Sequence, residues 1–167
     1  FLFRQGERSG NISSESFKRV SEVLEETPAL SSPEDAVTEV KDGSVCFTDV
    51  NFKYSAKAKK FALWDIDLTI PSGATVGIIG GTGSSKSTLV QLIPRLYDVT
   101  EGSVQVGGLD VRRYDLNALR GAVAMVLQKN VLFSGTIKEN LRWGNPEASD
   151  EELIHACKLA CAHDFIM

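Results

Sequence analysis

The apolar run "TVGIIG" passes at Gly80 into the glycine- and serine-rich "GTGSSK". After it, "KSTLVQLIPRLY" places Leu89, Leu92, Ile93 and Leu96 at helical spacing, with Pro94 expected to kink the helix late in its course. A short apolar strand, a glycine-rich turn and a helix in immediate succession are the context that a phosphate-binding loop requires, and they point to an α/β fold organised around that loop. Gly80, Lys86 and Ser87 stand where the pattern Gly, four residues, Gly, Lys, Ser/Thr puts them, but the residue before the lysine is Ser85 instead of glycine. The backbone amides of Gly81, Thr82, Gly83, Ser84, Ser85, Lys86 and Ser87 would wrap a β-phosphate, and the start of the following helix would reinforce that anion site. Lys86 would reach the β- and γ-oxygens, and the Ser87 hydroxyl would ligate Mg²⁺. A plain Gly/Ser turn is the alternative, and it leaves the "KST" of Lys86–Thr88 at the helix start unexplained.

Ser85 is the irregular position. Glycine is used where the backbone needs a positive φ or where a ligand comes too close for a Cβ. If Ser85 is left-handed, the serine costs on the order of 1 kcal/mol, less than a tenfold loss of affinity, while its N–H is kept. The expectation is weakened or re-posed phosphate binding, not its abolition.

Strands flank this unit. "SVCFTDVNFKY" alternates with Val45, Phe47, Val50 and Phe52 as the buried set and a slip of phase near Thr48–Asp49. "LWDIDLTI" is predicted to set Leu63, Trp64, Ile66, Leu68 and Ile70 on one face, and the polar "SAKAKK" between the two runs reads as a hairpin loop with solvated lysines. Beyond Leu96 the order is strand ("GSVQVGG"), helix ("DLNALRG"), strand ("AVAMVLQ", ending at Gln128), then helical segments from Gly135 onward. Ahead of the strands, "SSESFKRVSEVLEE" predicts an amphipathic helix started by Ser13 and Ser14 with a Phe17, Val20, Leu24 stripe. "TPALSSPEDAV" after it reads as a linker.

Composition narrows the setting. The chain has 167 residues, 43% apolar and 24% charged, which is ordinary for one globular domain. Its net charge of −4 gives no electrostatic case for nucleic acid. No run approaches the roughly 18 apolar residues of a membrane span, and no signal-peptide pattern opens the chain, so a soluble segment is expected. Cys46, Cys157 and Cys161 are too few and ill-spaced for a disulfide framework, which favours a reducing compartment. "HACKLACAH" invites a zinc reading through His155, Cys157, Cys161 and His163. On a continuous helix, however, the cysteines share one face and the histidines point elsewhere, so small buried cysteines are expected.

Taken together, Tyr54, the 80–88 loop, Gln128 and "LFSGTIKENLRWG" resemble the nucleotide-binding domain of ATP-binding cassette (ABC) transporters, of the exporter type in which the membrane domain precedes the nucleotide domain on one polypeptide. The resemblance covers residues 13–167. It implies an α/β P-loop NTPase fold of ABC type, truncated, with an antiparallel β subdomain and the start of a helical subdomain. It divides the chain into helix and linker from the membrane domain (1–42), β subdomain and P-loop core (43–136) and helical subdomain (137–167). It further implies that Tyr54 stacks on adenine, that residues 80–88 including Thr88 hold the phosphates of ATP, and that Gln128 contacts Mg²⁺ and the attacking water. A glutamine amide can both accept from a water and coordinate a hard cation through its carbonyl. The implied partners are the transporter's transmembrane domains and a second nucleotide-binding domain, identical or not, at the cytoplasmic face of the membrane.

The family's "LSGGQ"-like signature, its adjacent Asp-Glu strand end and its switch histidine have no counterparts here. "FSGT" at 133–136 lies too close behind Gln128 and lacks the second glycine. By this resemblance the chain is about the first half of the domain: able to bind nucleotide, not expected to hydrolyse it alone, and expected to expose an unpaired "TVGIIG" strand edge that favours self-association or low stability. A non-catalytic module with a site degenerate at Ser85 is the alternative. A kinase or GTPase is disfavoured by Tyr54 upstream and "QKNVLFSGTIKENL" downstream.

Overall fold

The structure is a computed structural model and describes residues 17–167, so the Ser13 and Ser14 caps lie outside the described residues. The chain forms two compact units, one running to Ala124 and the other Met125–Met167.

The first unit is built on a four-stranded antiparallel sheet in the order β2-β1-β3-β4. Its strands are β1 (Val45–Phe52), β2 (Leu63–Ile70), β3 (Glu101–Val106) and β4 (Leu109–Asp110). Residues 17–24 form helix α1, Lys86–Leu92 form α2, a 3-10 turn spans Val111–Arg113, and Leu116–Ala122 form α3. The phase slip expected in β1 is a bulge: Asp49 takes φ 49°, and the pairing jumps from Phe47↔Leu68 to Val50↔Ile66. Phe47, Val50 and Phe52 are buried as predicted, with Val45 partly so. In β2, Leu63 and Ile66 are an odd number of residues apart, and a pleat can place both inward only if one residue is absorbed. Asp65, at φ 53°, absorbs it. The shift leaves Trp64 63% exposed, off the face it was expected to share with Leu63, Ile66, Leu68 and Ile70. Trp64 packs edge-on against Phe61 in the hairpin loop, and Lys53 sits over the Phe61 ring.

Leu92, Val104, Val106, Val111, Tyr114 and Leu119 complete the core over the sheet. Tyr114 satisfies its buried hydroxyl by donating to the Val106 carbonyl oxygen at 2.8 Å. Burial, and then the charge of Asp42, raise its pKa. The segment read as a linker is strapped to this unit. Ser32 Oγ donates to Asp115 and accepts from the Leu116 amide, Val37 bridges to Tyr114, and Arg95 donates to the Ser31 carbonyl oxygen. The apolar stripe of α1, by contrast, stays open, with Phe17 and Leu24 76% and 80% exposed.

Two expected strands are absent. Residues 75–80 and 123–128 join no ladder among the described residues, and Ile79 is 99% exposed. An apolar strand of this kind is held by neighbours on both edges and both faces, and no described strand offers it an edge. The helix after the loop also ends sooner than predicted. Pro94 terminates α2 at Leu92 instead of kinking it, because it has no N–H to continue the ladder. A wide turn from the Leu96 amide to the Gln91 carbonyl oxygen carries the chain past it.

In the second unit, α4 (Ile137–Leu141), α5 (Asp150–Leu159) and α6 (His163–Ile166) follow Gly135, as the pattern predicted. Thr136 with Glu139, and Ser149 with Glu152, form capping boxes. Lys138 and Arg142 both pair with Asp150, and Leu153 and Cys157 face inward. Cys161 is a correction: α5 stops at Leu159, so Cys161 sits beyond it at φ 54° and is exposed, not on the buried face of Cys157.

Arg112 grips Asp110 with Nε and Nη2 at 2.9 and 2.6 Å. Partial burial works against the Asp110 charge, but the hydrogen bonds and charge of Arg112 outweigh it and hold the carboxyl below its ordinary value. A lowered folded-state pKa stabilises above the unfolded value, about 3.9, and that contribution fades as pH falls through it and on to the folded one. Unfolding free energies from urea titrations of Asp110→Asn are expected to lie about 0.5–1 kcal/mol below the parent at pH 6, and the two are expected to converge as pH falls through the lowered folded-state value.

Candidate functional site

The Gly80 loop turns sharply, and its glycines are placed accordingly. A Cβ on Gly80 would come within 2.5 Å of Ser84 Oγ, and Gly83 has φ 83°. Ser85 is the N-cap of α2 at φ 60°, ψ 23°, without a side-chain cap bond, so the left-handed conformation that favours glycine is borne here by a serine. Lys86 folds back across the loop, and its Nζ donates to the carbonyl oxygens of Gly80 and Gly81 at 2.7 and 2.8 Å and to Ser84 Oγ at 3.2 Å. The loop is thereby closed around one ammonium. Gly80, Gly81, Thr82, Gly83 and Ser84 are exposed, as is Ser87 on the first turn of α2, while Thr88 is buried.

Tyr54, two residues past the end of β1, reaches this helix: its hydroxyl lies 2.8 Å from Thr88 Oγ1. Its ring is packed edge-on against Phe52 and against Tyr97, with centroids 4.9 and 5.1 Å away, yet 55% of the residue remains exposed. A groove of about 590 Å³, lined among others by Leu30, Lys53, Tyr54, Tyr97 and Arg120, opens beside it. The structure therefore brings Tyr54 and the 80–88 loop together. Gln128 lies in the second unit, exposed and at a bend instead of ending a buried strand. Tyr97 was missed from sequence; it follows the proline-ended helix, where no periodicity marks it.

The family description "ABC transporter" matches residues 63–166. The chain belongs to the ABC transporter family. Two bacterial multidrug export ATP-binding/permease proteins are among its relatives. YgaD of Bacillus subtilis (strain 168) is 50% identical over 125 residues, covering 75% of this chain and 21% of the relative. A protein of Staphylococcus aureus (strain NCTC 8325 / PS 47) is 44% identical over 129 residues, 77% of this chain and 22% of the relative. A bacterial Atm1-family ABC exporter solved with ATP bound superposes with a TM-score of 0.81 at 31% identity, over 95% of this chain and 27% of the exporter chain. This ABC chain thus spans about a fifth of the length of the curated relatives it matches. Its mixed α/β fold with an antiparallel sheet is a partial ABC ATP-binding domain of the exporter kind, as expected. Domains of this family generally bind ATP with Mg²⁺. No helix among the described residues is long and apolar enough to cross a membrane.

Proposed function

We propose that this chain is the nucleotide-holding part of an ATP-driven exporter, acting at the cytoplasmic face of the membrane. Membrane-spanning domains of the same transporter and a second nucleotide-binding domain would be its partners. The observation that carries the reading is the Lys86 ammonium, gathered by the Gly80 and Gly81 carbonyls inside a glycine loop that adjoins the exposed ring of Tyr54. A triphosphate takes that ammonium and the amides of residues 81–87, and adenine takes the open face of Tyr54. Ser87, an exposed hard oxygen donor, would hold Mg²⁺, whose charge offsets that of the β- and γ-oxygens. In a closed pair of nucleotide domains Gln128 would contact Mg²⁺ and orient the attacking water, as the resemblance to the family implies. The positive φ of Ser85 supports a second reading, a site weakened for nucleotide within an asymmetric transporter.

Titration calorimetry of MgATP into this chain tests the first reading. Saturable binding is expected, and Ser85→Gly is expected to tighten it less than tenfold while raising stability by up to about 1 kcal/mol through relief of the left-handed serine. A folded chain that takes no MgATP in either form would overturn the proposal. A gain far above tenfold on Ser85→Gly would favour the weakened-site reading.

A further inference from the structure

We infer that Thr88 is a positioning residue for Tyr54: the 2.8 Å bond between their hydroxyls makes the aromatic platform and the phosphate loop one rigid piece before nucleotide arrives. The inference rests on the nucleotide reading above and adds to it a role for a side chain that faces away from solvent. Tyr54 stands at the end of a strand, on the threshold of the 53–62 hairpin loop, where an unrestrained tyrosine would sample several rotamers. Three contacts remove that freedom. Phe52 and Tyr97 meet the ring at interplanar angles of 77° and 90°, and the hydroxyl is held by Thr88. Thr88 itself is only 5% exposed and lies next to Ser87 in the first turn of α2, so its hydroxyl is anchored by the same helix that carries Lys86. More than half of Tyr54 nevertheless remains accessible. A ring held by three contacts while more than half of the residue stays accessible loses little entropy when a planar ligand settles on it, which is the advantage of preorganisation. The contact joins residues 34 apart in sequence, so it also ties the hairpin side of the site to the loop side.

The test is a double-mutant cycle read by MgATP titration on the intact chain, using Tyr54→Phe, Thr88→Val and the pair. Tyr54→Phe keeps the stacking ring and deletes only the hydroxyl. Each single change is expected to weaken MgATP about three- to tenfold, the loss of one neutral hydrogen bond. The double variant is expected to be no weaker than the worse single one. Thr88→Ser, which restores an oxygen at the same place, is expected to return the affinity to within about twofold of the parent, a rescue that a purely packing role for Thr88 would not produce. Tyr54→Phe binding like the parent, or losses that multiply in the pair, would overturn the tether while leaving the nucleotide reading standing. A parent chain that takes no MgATP overturns the nucleotide reading itself, and the tether with it.

Discussion

Lys86→Ala is expected to weaken MgATP binding by on the order of 100-fold while leaving the fold intact. A hydrogen bond to a charged partner contributes about 1.5–3 kcal/mol, and the side chain that supplies it here is the lysine whose ammonium sits on the loop carbonyls. Before nucleotide arrives the ammonium is shared by two carbonyl oxygens and the Ser84 hydroxyl, all on exposed residues. Its removal therefore returns those acceptors to water and leaves no buried polar atom unmet, so the melting temperature is expected to move by no more than about 2 °C. Binding and stability are thus separable at this position. Lys86→Arg sharpens the comparison: it keeps the charge but brings a planar fork into a loop closed around a compact ammonium, so it is expected to recover only part of the affinity. Lys86→Ala binding MgATP like the parent would move the nucleotide away from this loop altogether, whatever the resemblance to exporters.

Local rules carried much of the fold. The alternation of Phe47, Val50 and Phe52 marked β1, and even its irregularity was legible, because the run changes phase where Asp49 turns left-handed. The hairpin loop, β3, α3 and the helices after Gly135 follow from the same kind of local pattern. What stayed hidden depends on distant partners. "TVGIIG" and "AVAMVLQ" read as buried strands, yet a run of apolar residues does not say whether an edge is available to pair with, and here none is among the described residues. The strap from Ser32 to Asp115 joins residues 83 apart, and a serine-proline stretch carries no sign of it. At the site, the glycine loop was legible letter by letter, and Ser85 takes the left-handed φ on which its expected cost was conditional. The seat of Tyr54 was not, since it rests on Thr88 and Tyr97 brought in from α2 and the turn beyond it.

The bulge that β1 needs has a counterpart on β3, and Gly102→Ala is expected to be the most damaging alanine substitution among the described glycines. Asp49 bends β1 toward its neighbour, and Gly102 is the residue that lets it approach: a Cβ there would lie 2.3 Å from the Asp49 carbonyl oxygen and 2.4 Å from that of Thr48. Both obstacles are backbone, so no rotamer change relieves them. Gly102 also has φ 80°, a conformation costing an alanine roughly 1 kcal/mol by itself. Overpacking adds about 1–3 kcal/mol. The sum, about 2–4 kcal/mol, is a large share of the 5–15 kcal/mol typical of a whole domain, and it corresponds to a fall in melting temperature on the order of 10 °C. Gly108 provides the control. It has a similar φ, 75°, but nothing lies within 4 Å of its missing Cβ, so Gly108→Ala is expected to lose only the conformational part, about 1 kcal/mol. Thermal melts of the two variants separate the contributions. A gap of about 1–3 kcal/mol between them measures the close approach of β1 and β3. Equal losses would mean that the bulge relaxes around an added methyl, and that the sheet beneath Tyr54 is softer than its register suggests.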